Sequence, residues 1–280
     1  MRSVKSVVAA GAVSLLSQAA FAADLAIAPS PMYAPPPVEE FGGWYLRGDI
    51  GMTNQQLKKL DNPGDPNTAL FTSTGLGFDS ATLFDLGVGY QFNNWFRADV
   101  IGQWRGRANF HGSQFAPVGV FGANFTEANN YSGSKSEAVV MANAYFDLGT
   151  WWSVTPYIGA GIGGSYNRIS GFRDDGVILN GGVLSNSVTY AADAGKWNFA
   201  WALHAGLGYR VTPNVTLELG YSYMNLGDGV TGPTNSFDGV TVVNGSGFVM
   251  KDITSHDLKL GVRWDLDNPP VYAAPIIRKG

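Results

Sequence analysis

Between Phe96 and Phe110 the chain switches from apolar or small to polar at almost every residue. One set reads Phe96, Ala98, Val100, Gly102, Trp104, Gly106, Ala108, Phe110. The interleaved set reads Arg97, Asp99, Ile101, Gln103, Arg105, Arg107, Asn109. A period of two is a β-strand signal, because successive side chains point to opposite faces. The segment is far longer than the ~5–6 residues usual for soluble sheets. One greasy face and one ionic face over such a length suit a wall between lipid and a polar lumen.

Seven further segments repeat the pattern. Trp44, Leu46, Ile50 and Met52 alternate with Tyr45, Arg47 and Asp49. Thr82, Phe84, Leu86, Val88, Tyr90 and Phe92 alternate with Asp85, Gly87, Gly89 and Gln91. Ala138 to Leu148 opposes Glu137 to Asp147. In Tyr157–Asn167 a glycine file, Gly159-Gly161-Gly163, lies on the inward side. Phe199 to Tyr209 opposes His204 and Arg210, Val215 to Tyr223 opposes Glu218, and Leu258 to Leu266 opposes Asp257, Lys259, Arg263 and Asp265. The connections run long, short, long, short, long, short, long. Asn93-Asn94, Thr150 to Ser153 and Thr212-Pro213-Asn214 are the short ones. That asymmetry predicts an eight-stranded antiparallel transmembrane β-barrel with long extracellular loops and short periplasmic turns. Val177–Tyr190 and Val240–Val249, with turns at Asn180-Gly181-Gly182 and Asn244 to Gly247, read as extra hairpins above the membrane. The rival fold is a soluble sandwich, in which the ionic faces would be the exposed ones.

The N-terminus sets the compartment. Arg2 and Lys5 precede an apolar run from Val7 to Leu16, and Ala20-Phe21-Ala22 is a cleavage box. Residues 1–22 are therefore expected to be a secretory signal peptide. Residues 23–42 are rich in proline and predict an extended periplasmic linker. The barrel is expected over 43–266 and a periplasmic tail over 267–280. Net charge is −4, and losing Arg2 and Lys5 makes it −6, which argues against nucleic-acid binding. Cysteine is absent, so thiolate metal sites and cysteine catalysis are excluded.

Parity assigns the lumen charges: Arg47, Asp49, Asp85, Arg97, Asp99, Arg105, Arg107, Glu137, Asp147, Arg210, Glu218, Asp257, Lys259 and Arg263, with Asp265 at the edge. The near balance of sign predicts paired ions in a narrow, filled interior, since unpaired buried charge is costly. Aromatics fall in two girdles. Trp44, Phe92, Phe96, Phe146, Trp151, Trp152, Tyr209 and Trp264 lie toward the turns. Trp104, Phe110, Tyr166, Phe199, Tyr221 and Tyr223 lie toward the loops.

Residues Gly43 to Gly51, together with Thr155-Pro156-Tyr157-Ile158-Gly159-Ala160-Gly161, the signal peptide, Ala23-Asp24 and the proline-rich linker, resemble the OmpA-like and opacity-like small outer-membrane barrels. The resemblance is strongest to the major surface proteins of alphaproteobacteria. It implies a location in the Gram-negative outer membrane and partners among its lipids, lipopolysaccharide and the outer-membrane assembly machinery. It also implies structural and surface roles in envelope integrity and host interaction; the residues themselves lead to the expectation of no enzymatic activity, cofactor or metal. Lys259, Gly261, Trp264 and Leu266 resemble the final-strand assembly signal. In the family the chain usually ends there, whereas here Asp267 to Gly280 follow, so the signal is expected to act internally. Ala23-Asp24 matches the position through which some relatives are tethered to peptidoglycan, and the linker could span ~60 Å at ~3.1 Å per residue.

Two other chemistries are weighed on residues. His111-Gly112-Ser113 has the His-x-Ser spacing of an outer-membrane lipid A deacylase, but parity turns His111 inward in a loop. Haemin, which some relatives bind, would draw on His111, Tyr131, Tyr190 or His256. A small-solute pore is the remaining functional alternative.

Overall fold

The computed structural model describes residues 42–267. All of the proline-rich linker but its last residue lies outside that range, Ala23 and Asp24 included, as do the signal peptide and the residues after Asp267. Thirteen strands follow in chain order: β1 (Gly43–Gln56), β2 (Lys59–Asp61), β3 (Thr72–Phe78), β4 (Ala81–Gln91), β5 (Phe96–Ala116), β6 (Phe125–Asp147), β7 (Val154–Asn180), β8 (Val183–Ala191), β9 (Ala194–Thr212), β10 (Val215–Val230), β11 (Thr234–Phe237), β12 (Val242–Gly245) and β13 (Val249–Asp265).

Eight of these close a ring: β1 pairs β4, β4 pairs β5, and the ladder runs on through β6, β7, β9, β10 and β13 back to β1, every pair antiparallel. Closure matters energetically because an open edge in lipid would leave backbone groups without partners. The β1–β13 seam sets Leu46 against Trp264 and Ile50 against Leu260. At its base the Leu266 amide donates to the Trp44 carbonyl at 2.9 Å, and the Trp44 amide donates to Asp267 Oδ2 at 2.7 Å.

The outward rows form an apolar belt. Leu46, Ile50, Phe84, Leu86, Val100, Val140, Ile158, Ile162, Leu203, Leu207, Leu219, Leu260 and Val262 are all exposed. Their alternates face inward and are buried. The soluble-sandwich reading, with exposed ionic faces, is thereby reversed. Trp44, Phe146, Tyr209 and Trp264 ring one end of the belt, and Trp104, Trp197, Phe199 and Tyr221 ring the other.

The strands overshoot the membrane on the loop side. His111 to Ala116 and Phe125 to Ser136 were expected as loop, but β5 and β6 continue through them. β7 continues to Asn180 and turns at Gly181-Gly182, both at positive φ, into β8. The other extra hairpin is β11–β12. Its turn lies at Asp238–Thr241, where Asp238 Oδ1 accepts from the Val240 and Thr241 amides, and not at Asn244 to Gly247 as the glycines suggested.

One irregularity changes the reading of β5. Arg105 opposes Glu137 and Ala108 opposes Lys135, so Gly106 and Arg107 together oppose Ser136. This β-bulge reverses parity for the rest of the strand. Arg107, assigned to the lumen, is exposed on the outer side. Phe110, assigned to the outer girdle, is 2% exposed in the interior. His111, assigned inward, is exposed.

Candidate functional site

The interior is built from the inward rows of the eight ring strands. Arg47 on β1 is its lower hub. Its Nε and Nη2 donate to Asp49 at 3.0 Å each. Its Nη1 donates to Asp99 Oδ2 and to the Tyr145 hydroxyl, both at 3.1 Å, and Nη2 lies 3.3 Å from Glu218. Glu218 also meets Arg97 at 3.2 Å and Arg263 at 3.3 Å. Arg97 reaches Asp147 at 3.2 Å and lies between the rings of Tyr145 and Tyr157, at 4.5 and 4.7 Å from their centres. Guanidinium is suited to this position, being planar and able to stack while its edge pairs with carboxylates.

Glycines make room for these rings. A Cβ on Gly89 would overlap the Tyr45 ring, and one on Gly159 would lie 2.6 Å from Tyr145 Cδ1. Beside them, Asn143 Nδ2 donates to Asp99 Oδ1 at 2.8 Å. Asn143 Oδ1 must then accept from His204 Nε2, 3.1 Å away. That fixes the imidazole tautomer and leaves Nδ1 to accept from the Ser222 hydroxyl at 2.8 Å.

Farther up, Lys259 Nζ and Gln103 Nε2 donate to Asp85 Oδ2 at 3.3 and 3.1 Å. Arg105 donates to Gln103 at 2.8 Å, to Thr53 at 2.9 Å, to Ser255 at 3.0 Å and to Asp257 Oδ1 at 3.2 Å. It also lies 3.5 Å from Glu137. Lys135 pairs with Glu137 and donates to Gln55 at 2.8 Å.

Twelve of the fourteen residues assigned to the lumen charge network are thus inside it. Arg107 is outside because of the bulge. Arg210 has inward parity but stands exposed beyond the turn-side rim, where its amide donates to the Ser153 carbonyl. Lys135 and Gln55 were missed, although both extend the inward parity of Glu137 and Asp49. Of the final-strand positions, Lys259 and Gly261 face inward, and Trp264 and Leu266 face outward.

Above the ionic layers the interior turns apolar. Phe78, Phe110, Tyr131, Phe172 and Phe248 form a buried aromatic cluster. Ring centres lie at 5.3 Å for Phe78–Phe110, 6.1 Å for Phe110–Phe172, 5.8 Å for both Tyr131–Phe172 and Tyr131–Phe248, and 4.7 Å for Phe172–Phe248. Leu60, Ile169, Leu226, Met250 and Ile253 pack with it, none more than 1% exposed. This cluster stoppers the barrel at its extracellular end.

The residues weighed for other chemistry do not converge. Tyr131 points into the stopper, while His111 on the neighbouring strand points out, with Nδ1 3.6 Å from Asp79. His256 Nδ1 is paired with the Tyr221 hydroxyl at 2.7 Å, and Tyr190 stacks under Arg173. Ser113 donates to Asn130 Oδ1 at 2.7 Å.

A closed antiparallel ring with a lipid-facing apolar belt, two aromatic girdles and a polar interior is the construction of an integral outer-membrane barrel. The chain belongs to the outer membrane protein beta-barrel domain family, whose model matches residues 8–265, and its place is the Gram-negative outer membrane. It is 32% identical over 225 residues to an uncharacterized protein of Brucella suis biovar 1, covering 75% of this chain and 77% of that one. It is 27% identical over 230 residues to a putative adhesin of Rickettsia prowazekii, covering 80% and 87%. Among solved structures, Neisserial surface protein A aligns over 81% of this chain and all of its own, at 20% identity and a TM-score of 0.42.

Proposed function

We propose that this protein is a structural, non-enzymatic wall of the outer membrane, displayed at the surface, whose interior is closed and whose extracellular sheet carries any surface interaction. One observation carries the reading: the six buried cations among the described residues, Arg47, Arg97, Arg105, Lys135, Lys259 and Arg263, each have a carboxylate within 4 Å, beneath an aromatic stopper. A solute would have to break several desolvated ion pairs to pass, each strongly destabilising to disrupt. An eight-stranded barrel has an interior wide enough only for side chains or one small ligand, and here the inward side chains are buried against one another.

The interaction role is supported by the putative adhesin of Rickettsia prowazekii among the relatives. The non-enzymatic reading is supported by Ser113, whose hydroxyl is engaged by Asn130 rather than by His111. Recognition by the outer-membrane assembly machinery is assigned to Lys259, Gly261, Trp264 and Leu266 at the end of β13. A covalent tie to peptidoglycan is assigned to Ala23-Asp24. Mass spectrometry of muramidase-released N-terminal peptides tests that tie, and recovery of a free Ala23 amine alone would end it.

Planar-bilayer recording of the refolded protein tests the main reading. The expected trace is flat. Reproducible unitary steps from the wild-type chain would replace the closed wall by a small-solute pore.

A further inference from the structure

The bulge at Gly106-Arg107 puts a cation where parity alone would put none. Arg107 leaves the lumen and stands exposed on the outer face, directly above Trp104 in the loop-side girdle. The ladder pairings then align two rows that run from strand to strand, perpendicular to the strands. The lower row is Trp104, Ala138, Tyr166 and Trp197, each opposite the next on β5, β6, β7 and β9. Tyr166 and Trp197 are in ring contact, with centres 5.4 Å apart. Trp and Tyr in such a row mark the level where hydrocarbon meets headgroups. The row immediately above it is Arg107, Ser136 and Arg168, on β5, β6 and β7.

Two guanidiniums therefore flank one serine on the loop side of the aromatic row, on strands two ladder spacings apart, roughly 10 Å at ~4.8 Å per strand. Arg107 has no carboxylate within 4 Å among the described residues. Arg168 has a single long contact, 3.4 Å from Nη2 to Asp193 Oδ2, and Asp193 is held from its other oxygen by the Gly171 amide at 3.0 Å. A guanidinium carries five donors, so both arginines keep most of theirs free. Their fork geometry matches phosphate oxygens, and the small serine between them leaves a space with a hydroxyl at its floor.

We propose that Arg107, Ser136 and Arg168 form a clamp for the phosphorylated headgroup of an outer-leaflet glycolipid, the phosphates of lipid A. Trp104, Tyr166 and Trp197 set the depth at which it lies. Charge complementarity at a fixed depth selects the occupant, since phosphate is the anion of that layer. The proposal rests on the placement of the barrel in the membrane and is independent of whether the lumen conducts.

The test is native mass spectrometry of the full chain refolded in detergent, with folding verified by the heat-dependent shift in gel mobility. The ligands offered are bisphosphorylated lipid A, dephosphorylated lipid A, and inorganic phosphate alone. The expected result is retention of bisphosphorylated lipid A at least about tenfold above the dephosphorylated form, lost in R107Q/R168Q and kept in K58Q/K251Q, which removes two other cations of the extracellular side. Equal retention of both lipids, unchanged retention by R107Q/R168Q, or equal loss in K58Q/K251Q overturns it. Saturation of the site by inorganic phosphate without lipid also overturns it, by making the ligand a free anion.

Discussion

Arg105 on β5 and Asp257 on β13 are ion-paired across the barrel, on strands separated by β4 and β1, and neither side chain is exposed to solvent. Two more hydroxyls, from Thr53 and Ser255, close around the same guanidinium. The pair is a transverse tie rather than a neighbour-to-neighbour contact. Removing one partner leaves the other charged and dry. Asp257→Ala is expected to cost about 3–5 kcal/mol, read as a lowered urea midpoint for unfolding from detergent or lipid. A loss below about 1 kcal/mol would mean that the Arg105 charge finds water or another carboxylate.

Arg107 provides the internal control, two residues away on the same strand. It is exposed and outward, so Arg107→Gln should change stability by no more than about 0.5 kcal/mol, whereas Arg105→Gln should fall near the cost of Asp257→Ala. Equal effects from the two substitutions would argue that β5 has no bulge at Gly106.

Glycine spacing yields a steric contrast. A Cβ at Gly89 would collide with the Tyr45 ring, while one at Gly102, on the outer face, would meet nothing within 4 Å. Gly89→Ala should therefore destabilise by about 1–3 kcal/mol through overpacking, and Gly102→Ala should be neutral. Combining Gly89→Ala with Tyr45→Leu should recover part of the loss. The check is the same denaturation series, and a neutral Gly89→Ala would show that the ring can swing aside.

Above the membrane, burial pushes the Asp174 carboxyl up to about 7, with Glu127 and Asp175 adding repulsion. Its Oδ1 has no hydrogen-bond partner. The folded sheet holds this proton up to about pH 7, whereas the unfolded segment releases it near 3.8. Between those values the native state binds more protons, so its stability falls as pH rises and the loss is complete above 7. Amide exchange in β6, β7 and β8 above the girdle, corrected for intrinsic rates, should report easier opening at pH 8 than at pH 5. Asp174→Asn should flatten the difference. A pH dependence that persists in the asparagine variant would assign it to other groups.

Much of the wall was legible in the sequence because period two maps directly onto inside and outside, and charge on one row cannot face lipid. Arg47, Asp49, Arg97 and Glu218 needed nothing more. Lys135 and Gln55 were within reach of the same rule, one alternation before Glu137 and three beyond Asp49. Arg107 was not, because the rule assumes an unbroken pleat, and nothing in the sequence sets Gly106 apart from the other strand glycines as a bulge. Arg210 had the right parity at the wrong height, since parity carries no information on where the rim lies. The stopper was the least legible part. Phe78, Phe110, Tyr131 and Phe172 come from four different strands and Phe248 from the connection just before β13, and most sit in stretches whose serines, asparagines and glycines read as loop. Only the closed ring brings them to one axis.

The overshoot of β7 also sets a dimension. From Tyr166 in the girdle to Asn180 at the turn the strand climbs roughly 45 Å along its own direction, or about 35 Å in height at a tilt near 40°. The β7–β8 turn therefore stands clear of the sugars nearest the bilayer. An antibody or a neighbouring cell meets Asn180 to Val183 long before it meets the lipid. Insertions for surface display belong at that tip, where Gly181 and Gly182 are exposed and the ion-paired barrel below would not register the addition.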